Sequence, residues 1–229
     1  MDRPGDQPGA IFDMDGTLLD SYHAHGSAWR QALGEQSITY GEEDFHRHFG
    51  RRNEEIIRDV YQRLGGPEPS LDHIQAIADR KEELFRATLA GDCTEMPGAR
   101  RLLERLRGAG WRLAVGSSAP RENLELALEL LDMERFMDAT VCGGDVRRGK
   151  PEPDVFLEAA RRIGVDDRRC LVFEDAPAGV ESGHRAGMPV VGIRCPHHES
   201  ELEAADLVVD DFDECPEPVL RALIKEPAP

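Results

Sequence analysis

The sequence predicts an α/β protein in which a Rossmann-like parallel sheet carries an inserted all-helical domain. From Ala99 onward, short apolar β-rich runs alternate with longer segments of helical period, which is typical of βαβ units around a parallel sheet. One further apolar run stands alone near the N-terminus, and a long segment almost without β-like runs separates it from Met96. These observations together predict one sheet whose first strand precedes the insert.

Six runs are predicted to be strands because each is short, apolar and bounded by turn-forming residues. They are Ala10 to Phe12, Leu113 to Val115, Ala139 to Cys142, Leu171 to Phe173, Val190 to Ile193, and Leu207 to Val209. Helices are predicted between them at Gly98 to Gly110, Glu122 to Leu131, and Pro153 to Ile163, where leucines and other apolar residues recur on one face.

The segment after the first strand is predicted to be helical throughout. Apolar residues recur at helical spacing, as in Trp29 with Leu33, and in Ile56 with Val60. The run 65–69, Gly-Gly-Pro-Glu-Pro, is expected to break the helices once, and residues 90–92 to end them. We therefore predict an α/β core made of residues 1–20 and 95–229, and a helical insert of residues 21–94.

Composition excludes several classes of function. Among 229 residues, 28 Lys and Arg stand against 45 Asp and Glu, so the formal net charge of −17 argues against binding to nucleic acid or an anionic membrane. The five cysteines are widely spaced and predict reduced thiols, and no segment predicts a signal peptide or a membrane span. We expect a cytoplasmic protein that acts on a small molecule, as a monomer or alternatively as a dimer.

Four acidic residues follow two of the predicted strands. Asp13 and Asp15 come after the first strand, and Glu174 and Asp175 after the fourth. Ligands of open α/β sheets bind outside the carboxyl ends of the strands, so we expect these carboxylates to meet at one edge. Because they would repel each other there, and because only oxygen ligands are present, the pattern predicts Mg²⁺ at Asp13, Asp15, Glu174 and Asp175.

The other strand ends carry groups that suit a phosphate. Ser117 offers a hydroxyl and exposed backbone N–H groups at a strand-to-helix turn, and Lys150 offers a compact cation after the third strand. Asp13 could then attack phosphorus to give an aspartyl phosphate, and Asp15 could protonate the leaving oxygen. Each residue alone is more often structural, as a helix cap or a solvated charge, but their conjunction favours catalysis.

Three motifs make the chain resemble the haloacid dehalogenase-like phosphatase superfamily. They are the DxDGT pattern within 11–21, IFDMDGTLLDS, the run 149–154, GKPEPD, and the run 173–179, FEDAPAG, and with Ser117 they complete the superfamily's four motifs. The resemblance implies that Asp13 is the nucleophile, Asp15 the general acid and base, and Ser117 and Lys150 the phosphoryl ligands. It also implies Mg²⁺ held by Asp13, the Asp15 carbonyl and Asp175, with Glu174 close by, and a mobile helical cap.

Within that superfamily the chain is similar to the β-phosphoglucomutase-like subfamily, which contains phosphomutases and small sugar-phosphate phosphatases. His25 and Trp29 match its His-x-x-x-Trp pattern on the first cap helix, and Lys81 matches a cap lysine of the mutases. Arg51 and Arg52 stand near the position where mutases carry an arginine, although that position itself is Asn53 here. The resemblance implies that these cap residues contact the substrate, as Thr17 and Ser118 are expected to do in the core.

The chain departs from the mutases directly after Ser118. Mutases continue with polar and basic residues that grip the second phosphate of a bisphosphate, whereas this chain has Ala119, Pro120 and Arg121. We therefore expect a phosphatase that hydrolyses a small phosphorylated metabolite, a sugar phosphate. The alternative is a β-phosphoglucomutase that interconverts β-glucose 1-phosphate and glucose 6-phosphate, with Arg121 or the Arg51 and Arg52 pair as a substitute grip.

A hypothesis from another class is a catalytically silent binding protein on the same fold, because a fold alone does not secure an activity. Such a protein would be expected to lack Asp13, Asp15 or Lys150, and all three are present. The sequence therefore favours an enzyme.

Overall fold

Six parallel strands form one sheet in the computed structural model, which describes residues 7–49, 51–197 and 201–224. The outermost residues of the predicted core, 1–6 and 225–229, lie outside the described part. The strands are β1 (Gly9–Phe12), β2 (Arg112–Gly116), β3 (Ala139–Val141), β4 (Cys170–Glu174), β5 (Val190–Ile193) and β6 (Leu207–Val209). Their order in the sheet is β3-β2-β1-β4-β5-β6. The predicted fold class is confirmed.

Helices occupy most of the remaining described chain. They are α1 (Tyr22–Gly34), α2 (Glu42–His48), α3 (Asn53–Arg63), α4 (Leu71–Gly91), α5 (Ala99–Gly108), α6 (Arg121–Leu130), α7 (Asp154–Ile163), α8 (Pro177–Arg185) and α9 (Glu217–Leu223). Within the described ranges, no helix combines the length and the apolar character that a membrane span requires.

The central strands are buried on both faces, as expected for a parallel sheet covered by helices. Every residue of β1 and β4 is buried. On one face, Ile11 and Val172 pack with α7 and α8 in a large apolar cluster. On the other face, the rings of Phe12 and Phe173 stack with their centroids 4.5 Å apart. Because β1 lies between β2 and β4, the segment that follows it emerges at the middle of the sheet edge.

The chain divides into two compact units. Residues up to Asp20 and from Cys93 onward form the sheet unit, and Ser21–Asp92 form a helical unit. The helical unit has its own apolar core, which includes Trp29 and Ile57. Each unit therefore buries a hydrophobic cluster of its own.

Two features of the helices differ from the sequence-based expectation. The insert is interrupted at residues 35–41 and after His48, in addition to the expected break at 65–69, so the prediction of a single break is wrong. Helix α8 was not expected, because its buried face consists largely of Gly179, Ser182 and Gly183 and shows little apolar period. Its sequence signal is Pro177, which occupies a first helical position that proline favours.

Candidate active site

Asp13 lies directly after β1 at the carboxyl end of the sheet. Its backbone N–H donates to the carbonyl oxygen of Phe173 at 3.0 Å, which continues the pairing of β1 with β4 by one residue. The side chain is buried, with 7% of the residue exposed. The sheet therefore fixes both the backbone and the direction of a carboxylate that solvent barely reaches.

Lys150 joins the two central strand ends. Its ammonium donates to Asp13 Oδ1 and, at 2.6 Å, to Glu174 Oε1. The Lys150 ammonium also lies over the ring of Phe156, with Nζ 4.8 Å from the ring centroid. The second oxygen of Glu174, Oε2, accepts from the Ala176 N–H at 2.8 Å. Glu174 thus orients the lysine, and Lys150 holds one oxygen of Asp13.

The carboxylates at this edge oppose each other's ionisation. Burial raises the pKa of Asp13, and the negative charges of Glu174 and Asp15 add to this, while Lys150 opposes it. Burial lowers the pKa of Lys150, but the Asp13 and Glu174 carboxylates outweigh burial and hold it above its ordinary value. The one lysine therefore does not fully compensate the negative charge assembled here.

The Oδ2 atom of Asp175 is buried, and the described residues offer it no hydrogen-bond donor. The other oxygen accepts from the Thr17 hydroxyl at 3.4 Å. Burial raises the pKa of Asp175 well above its ordinary value, and Glu174 and Asp13 raise it further. Gly16 faces this oxygen at a φ of 79°, and a Cβ there would lie 2.0 Å from Oδ2. Only glycine fits at this position, both for its backbone angle and for the space.

This donor set fits a hard divalent cation such as Mg²⁺. An unsatisfied buried carboxylate oxygen is costly, and a cation would stabilise the charged forms of Asp13 and Asp175. The described residues contain no group of three or more His, Cys, Asp or Glu side chains arranged to hold a metal. The metal-ligand set implied by the family resemblance contains only two carboxylates, those of Asp13 and Asp175. Its third protein ligand is the backbone carbonyl of Asp15, which is not a side chain. Both carboxylate oxygens of Glu174 already accept hydrogen bonds, so Glu174 would lie next to the metal ligands and not be one of them.

Asp15 lies in a tight turn after β1. The N–H groups of Leu18 and Leu19 both donate to the Met14 carbonyl oxygen at 2.9 Å, and the Gly16 N–H donates to the Leu19 carbonyl at 2.8 Å. Asp15 is half-buried on this turn, and its charge raises the pKa values of Asp13 and Asp175. The structure therefore brings the predicted acid and base to the same sheet edge as the predicted nucleophile.

Ser117 follows β2 and is buried, but its surroundings differ from the expectation. Its N–H donates to the Val141 carbonyl oxygen at 3.0 Å, and its hydroxyl oxygen accepts from the Ala119 N–H at 3.0 Å. The prediction that this turn offers exposed N–H groups is therefore wrong for Ser117 and Ala119. The exposed residues of the turn are Ser118 and Pro120.

The three arginines predicted to contact the substrate are exposed. Arg121 begins α6 and donates to Asp145 Oδ1 at 2.5 Å. Arg51 forms an ion pair with Glu55 at 3.6 Å, while Arg52 immediately precedes α3. Arg51 and Arg52 belong to the helical unit, whereas Arg121 belongs to the sheet unit.

The helical unit contains a polar cluster among buried side chains. Lys81 Nζ lies 2.9 Å from His25 Nδ1 and 2.9 Å from Glu82 Oε1, although only 3% of Lys81 is exposed. The His25 ring stacks on Phe85 with centroids 4.1 Å apart. Trp29 is buried in the apolar core of the unit, and Lys81 Nζ lies 5.6 Å from its ring centroid. His25, Trp29 and Lys81, which the sequence singled out separately, are therefore neighbours in the helical unit.

Sequence reasoning missed several residues that support these groups. In the helical unit, Glu82 accepts from Lys81 and, at 2.7 Å, from the Asn53 side chain. In the sheet unit, Gly179 makes room for Glu174, because a Cβ at Gly179 would lie 1.7 Å from Glu174 Oε1. A signal existed for both residues, since Glu82 follows Lys81 directly and Gly179 ends the quoted 173–179 motif.

The chain matches the family model described as haloacid dehalogenase-like hydrolase over residues 8–187. It is 30% identical over 213 residues to validoxylamine A 7'-phosphate phosphatase of Streptomyces hygroscopicus subsp. limoneus, covering 90% of this chain and 94% of that protein. It is 33% identical to a fructose-1-phosphate phosphatase of Escherichia coli K12, covering 81% of this chain and 96% of that protein.

Solved structures share this fold. A family IA haloacid dehalogenase hydrolase of Entamoeba histolytica superposes with a TM-score of 0.85 at 25% identity, covering 95% of this chain and 99% of that one. A putative β-phosphoglucomutase of Thermotoga maritima superposes with a TM-score of 0.74 at 27% identity, covering 95% of this chain and 100% of that one.

Proposed function

The chain belongs to the haloacid dehalogenase-like hydrolase family and is a phosphoric monoester hydrolase, and we propose that it is a Mg²⁺-dependent phosphatase. We propose that its substrate is a small phosphorylated metabolite, a sugar phosphate. The reaction proceeds through an aspartyl phosphate on Asp13.

The observation that carries this proposal is the position of Lys150 between Asp13 and Glu174. The ammonium holds one oxygen of a buried carboxylate at the end of β1, and Glu174 fixes the ammonium from the other side. A fixed, desolvated cation beside a carboxylate nucleophile stabilises the charge that a transferring phosphoryl group brings. The same geometry orients Asp13, because one of its oxygens is held by Lys150 while the other stays available for attack.

In the first half-reaction, an oxygen of Asp13 attacks phosphorus and the bond from phosphorus to the ester oxygen breaks. Asp15, as the carboxylic acid, gives its proton to that leaving oxygen, so the alcohol departs neutral. In the second half-reaction, the Asp15 carboxylate takes a proton from water, and the water oxygen attacks phosphorus. The phosphorus bond to Asp13 breaks, inorganic phosphate leaves, and Asp15 is again protonated.

Asp13, Asp175 and the Asp15 backbone carbonyl would hold Mg²⁺. When bound, the ion supplies positive charge against the phosphoryl oxygens and holds the carboxylates in their ionised form. The unsatisfied Oδ2 of Asp175 and the raised pKa of Asp13 and Asp175 support this set. Thr17 orients Asp175 through its other oxygen. Ser117 and Lys150 are proposed as the phosphoryl ligands among the protein groups.

We propose that residues 21–94, which contain the helical unit, act as a mobile cap that selects the substrate through His25, Trp29, Lys81, Arg51 and Arg52. The similarity to phosphatases named for phosphorylated sugars and cyclitols supports a polyhydroxy substrate. The five cysteines are free thiols, which is compatible with the cytoplasmic location that we propose.

A β-phosphoglucomutase remains the second candidate, because Lys81 matches a cap lysine of the mutases and a putative mutase shares the fold. A paired assay separates the two candidates. Phosphate release and glucose 6-phosphate formation from β-glucose 1-phosphate are measured with and without β-glucose 1,6-bisphosphate. We expect phosphate release to dominate, whereas isomerisation that the bisphosphate stimulates would establish the mutase.

The experiment that tests the phosphatase compares Asp13→Asn with Asp72→Asn, which changes an exposed aspartate at the start of α4. We expect Asp13→Asn to abolish phosphate release from sugar phosphates, and Asp72→Asn to leave it unchanged. In Asp15→Asn, mass spectrometry after acid quench should find a phosphoryl group on Asp13. Wild-type turnover by Asp13→Asn contradicts the assignment of the nucleophile.

A further inference from the structure

A cavity of about 550 Å³ opens beside Ser117 at the carboxyl end of the sheet. Its walls come from the loop between β2 and α6, including Ser118 and Arg121, and from the loop after β3, including Cys142 and Asp145. The cavity therefore lies at the ends of β2 and β3, and β2 is the strand next to β1, after which Asp13 follows.

The one basic side chain that lines this cavity, within the described residues, is already engaged. Arg121 donates to Asp145 Oδ1 at 2.5 Å and lies 3.7 Å from Glu125. Asp145 is the more buried partner, with 16% of its side chain exposed against 43% for Arg121. A ligand anion at Arg121 would therefore have to displace a fixed carboxylate.

Asp145 is anchored by more than Arg121. Its other oxygen, Oδ2, accepts from the Cys142 N–H at 3.0 Å and from Arg162 at 3.1 Å. Burial raises the pKa of Asp145, but these donors and Arg121 outweigh burial and lower it to about 2. The carboxylate therefore stays charged and in place at neutral pH.

The charges that line the cavity are unfavourable for a phosphate. Arg121 contributes one positive charge to the lining, and Glu122 and Asp145 contribute one negative charge each. Two partners outside the lining, Arg162 beside Asp145 and Glu125 beside Arg121, carry opposite charges and leave this balance unchanged. A second phosphate dianion would meet a net negative wall, whereas hydroxyl groups can pair with the Ser118 hydroxyl and with the carboxylates.

We propose that this cavity takes an uncharged, hydroxylated part of the substrate and that Asp145, by neutralising Arg121, sets specificity against a second phosphate. The proposal rests on the proposed function and narrows it to monophosphate esters of neutral polyhydroxy compounds. Asp145 affects the substrate in two ways: its negative charge repels an anion, and its ion pair with Arg121 keeps that guanidinium from binding one.

The test measures binding, so that it does not depend on turnover. Titration calorimetry with Mg²⁺ present compares fructose 1-phosphate with fructose 1,6-bisphosphate on Asp13→Asn, which turns over neither sugar. We expect the monophosphate to bind about threefold to fivefold more tightly, since one opposed charge in a partly exposed cavity is worth up to about that factor. Equal or tighter binding of the bisphosphate overturns the proposal, as does binding of neither sugar. This comparison leaves Asp145 unchanged, so it does not depend on whether an Asp145 variant folds.

Adding Asp145→Asn to the Asp13→Asn protein keeps an oxygen acceptor for the Cys142 N–H and should shift the affinity ratio about threefold to fivefold toward the bisphosphate. Adding Arg121→Ala as well should remove that gain. The matched control is Glu129→Gln, which removes one charge from an exposed position of α6 outside the cavity and should leave the ratio within about twofold. If Asp145→Asn does not change the ratio of the monophosphate and bisphosphate affinities, the proposal is overturned. Phosphate release by the wild-type protein is measured separately, so failure of the proposed function is recognised independently.

Discussion

Replacing Lys150 by Met should destabilise the metal-free protein, and more so at high pH than at low pH. The ammonium is the cation shared by Asp13 and Glu174, and the side chains of Asp13, Glu174 and Lys150 are 10%, 2% and 9% exposed. At the 2.6 Å separation from Glu174, the Coulomb energy is about 6 kcal/mol for an effective dielectric constant of about 20. Removing one partner of a buried pair costs about 3 to 5 kcal/mol, because the remaining charges stay buried without compensation.

The pH dependence follows from the carboxyl groups left behind. Burial already raises the pKa of Asp13 above its ordinary value of 3.8, and loss of the lysine raises it further. Between the ordinary and the raised value, the folded state binds more protons than the unfolded state, so stability falls as the pH rises. We therefore expect a loss of about 3 kcal/mol at pH 8 and about half of that at pH 5, where protonation relieves the repulsion.

Urea denaturation followed by circular dichroism, with EDTA present, measures both values. The matched control is Arg161→Met, because Arg161 pairs with Glu158 at 2.7 Å while its side chain is 71% exposed. Solvent screens such an exposed pair, so this variant should change the free energy of unfolding little at either pH. A loss for Lys150→Met no larger than that of the control, or one larger at pH 5 than at pH 8, refutes the reasoning.

Three other predictions concern the metal, the packing of Glu174 and the helical unit. EDTA should abolish phosphate release and Mg²⁺ should restore it, while Ca²⁺ should inhibit, since its looser coordination engages both Asp13 oxygens; full activity after dialysis against EDTA contradicts the metal site. Gly179→Ala should lower the unfolding free energy by about 2 kcal/mol, because its Cβ displaces a Glu174 that Lys150 and the Ala176 N–H hold. Gly34→Ala, with no atom within 4 Å of its Cβ, should instead be neutral or stabilising by up to about 1 kcal/mol, and equal effects in urea denaturation would contradict this account. Lys81→Ala should reduce kcat/KM for sugar phosphates at least about tenfold more than for a small aryl phosphate, since a substrate contact is lost only where a sugar is present; equal losses would argue against a selecting cap.

The sheet and the two acidic strand ends could be predicted because short-range rules determine them. A buried parallel strand is a short apolar run, and a residue directly after it must lie at the carboxyl edge. Asp13 follows Phe12, and Asp175 follows Glu174 at the end of the adjacent strand, so their proximity required only the correct strand order. The orphaned oxygen of Asp175 could not be predicted, since it depends on what the Gly16 turn leaves beside it.

Lys150 shows where the strand-end rule stops. It lies well beyond the end of β3, in a loop whose path the apolar pattern does not specify, yet its ammonium reaches the neighbouring strand ends. The sequence singled it out by its place after the third predicted strand and by the motif around it, whereas its contacts with both Asp13 and Glu174 are seen only in the structure. The helical insert gave a similar lesson, because apolar spacing predicted helices but not the breaks that separate α1, α2 and α3.

Arg121 makes the same point for specificity. From the sequence it is a candidate grip for a second phosphate, because a basic residue follows the serine turn where mutases carry polar groups. Whether it can serve depends on its partner, and that partner comes from a different loop, after β3. Since Asp145 is itself held by the Cys142 N–H and Arg162, its carboxylate is fixed beside Arg121 before any substrate binds. A residue type at a position indicates which ligand could bind there, but the charge balance of the folded loops decides which ligand does.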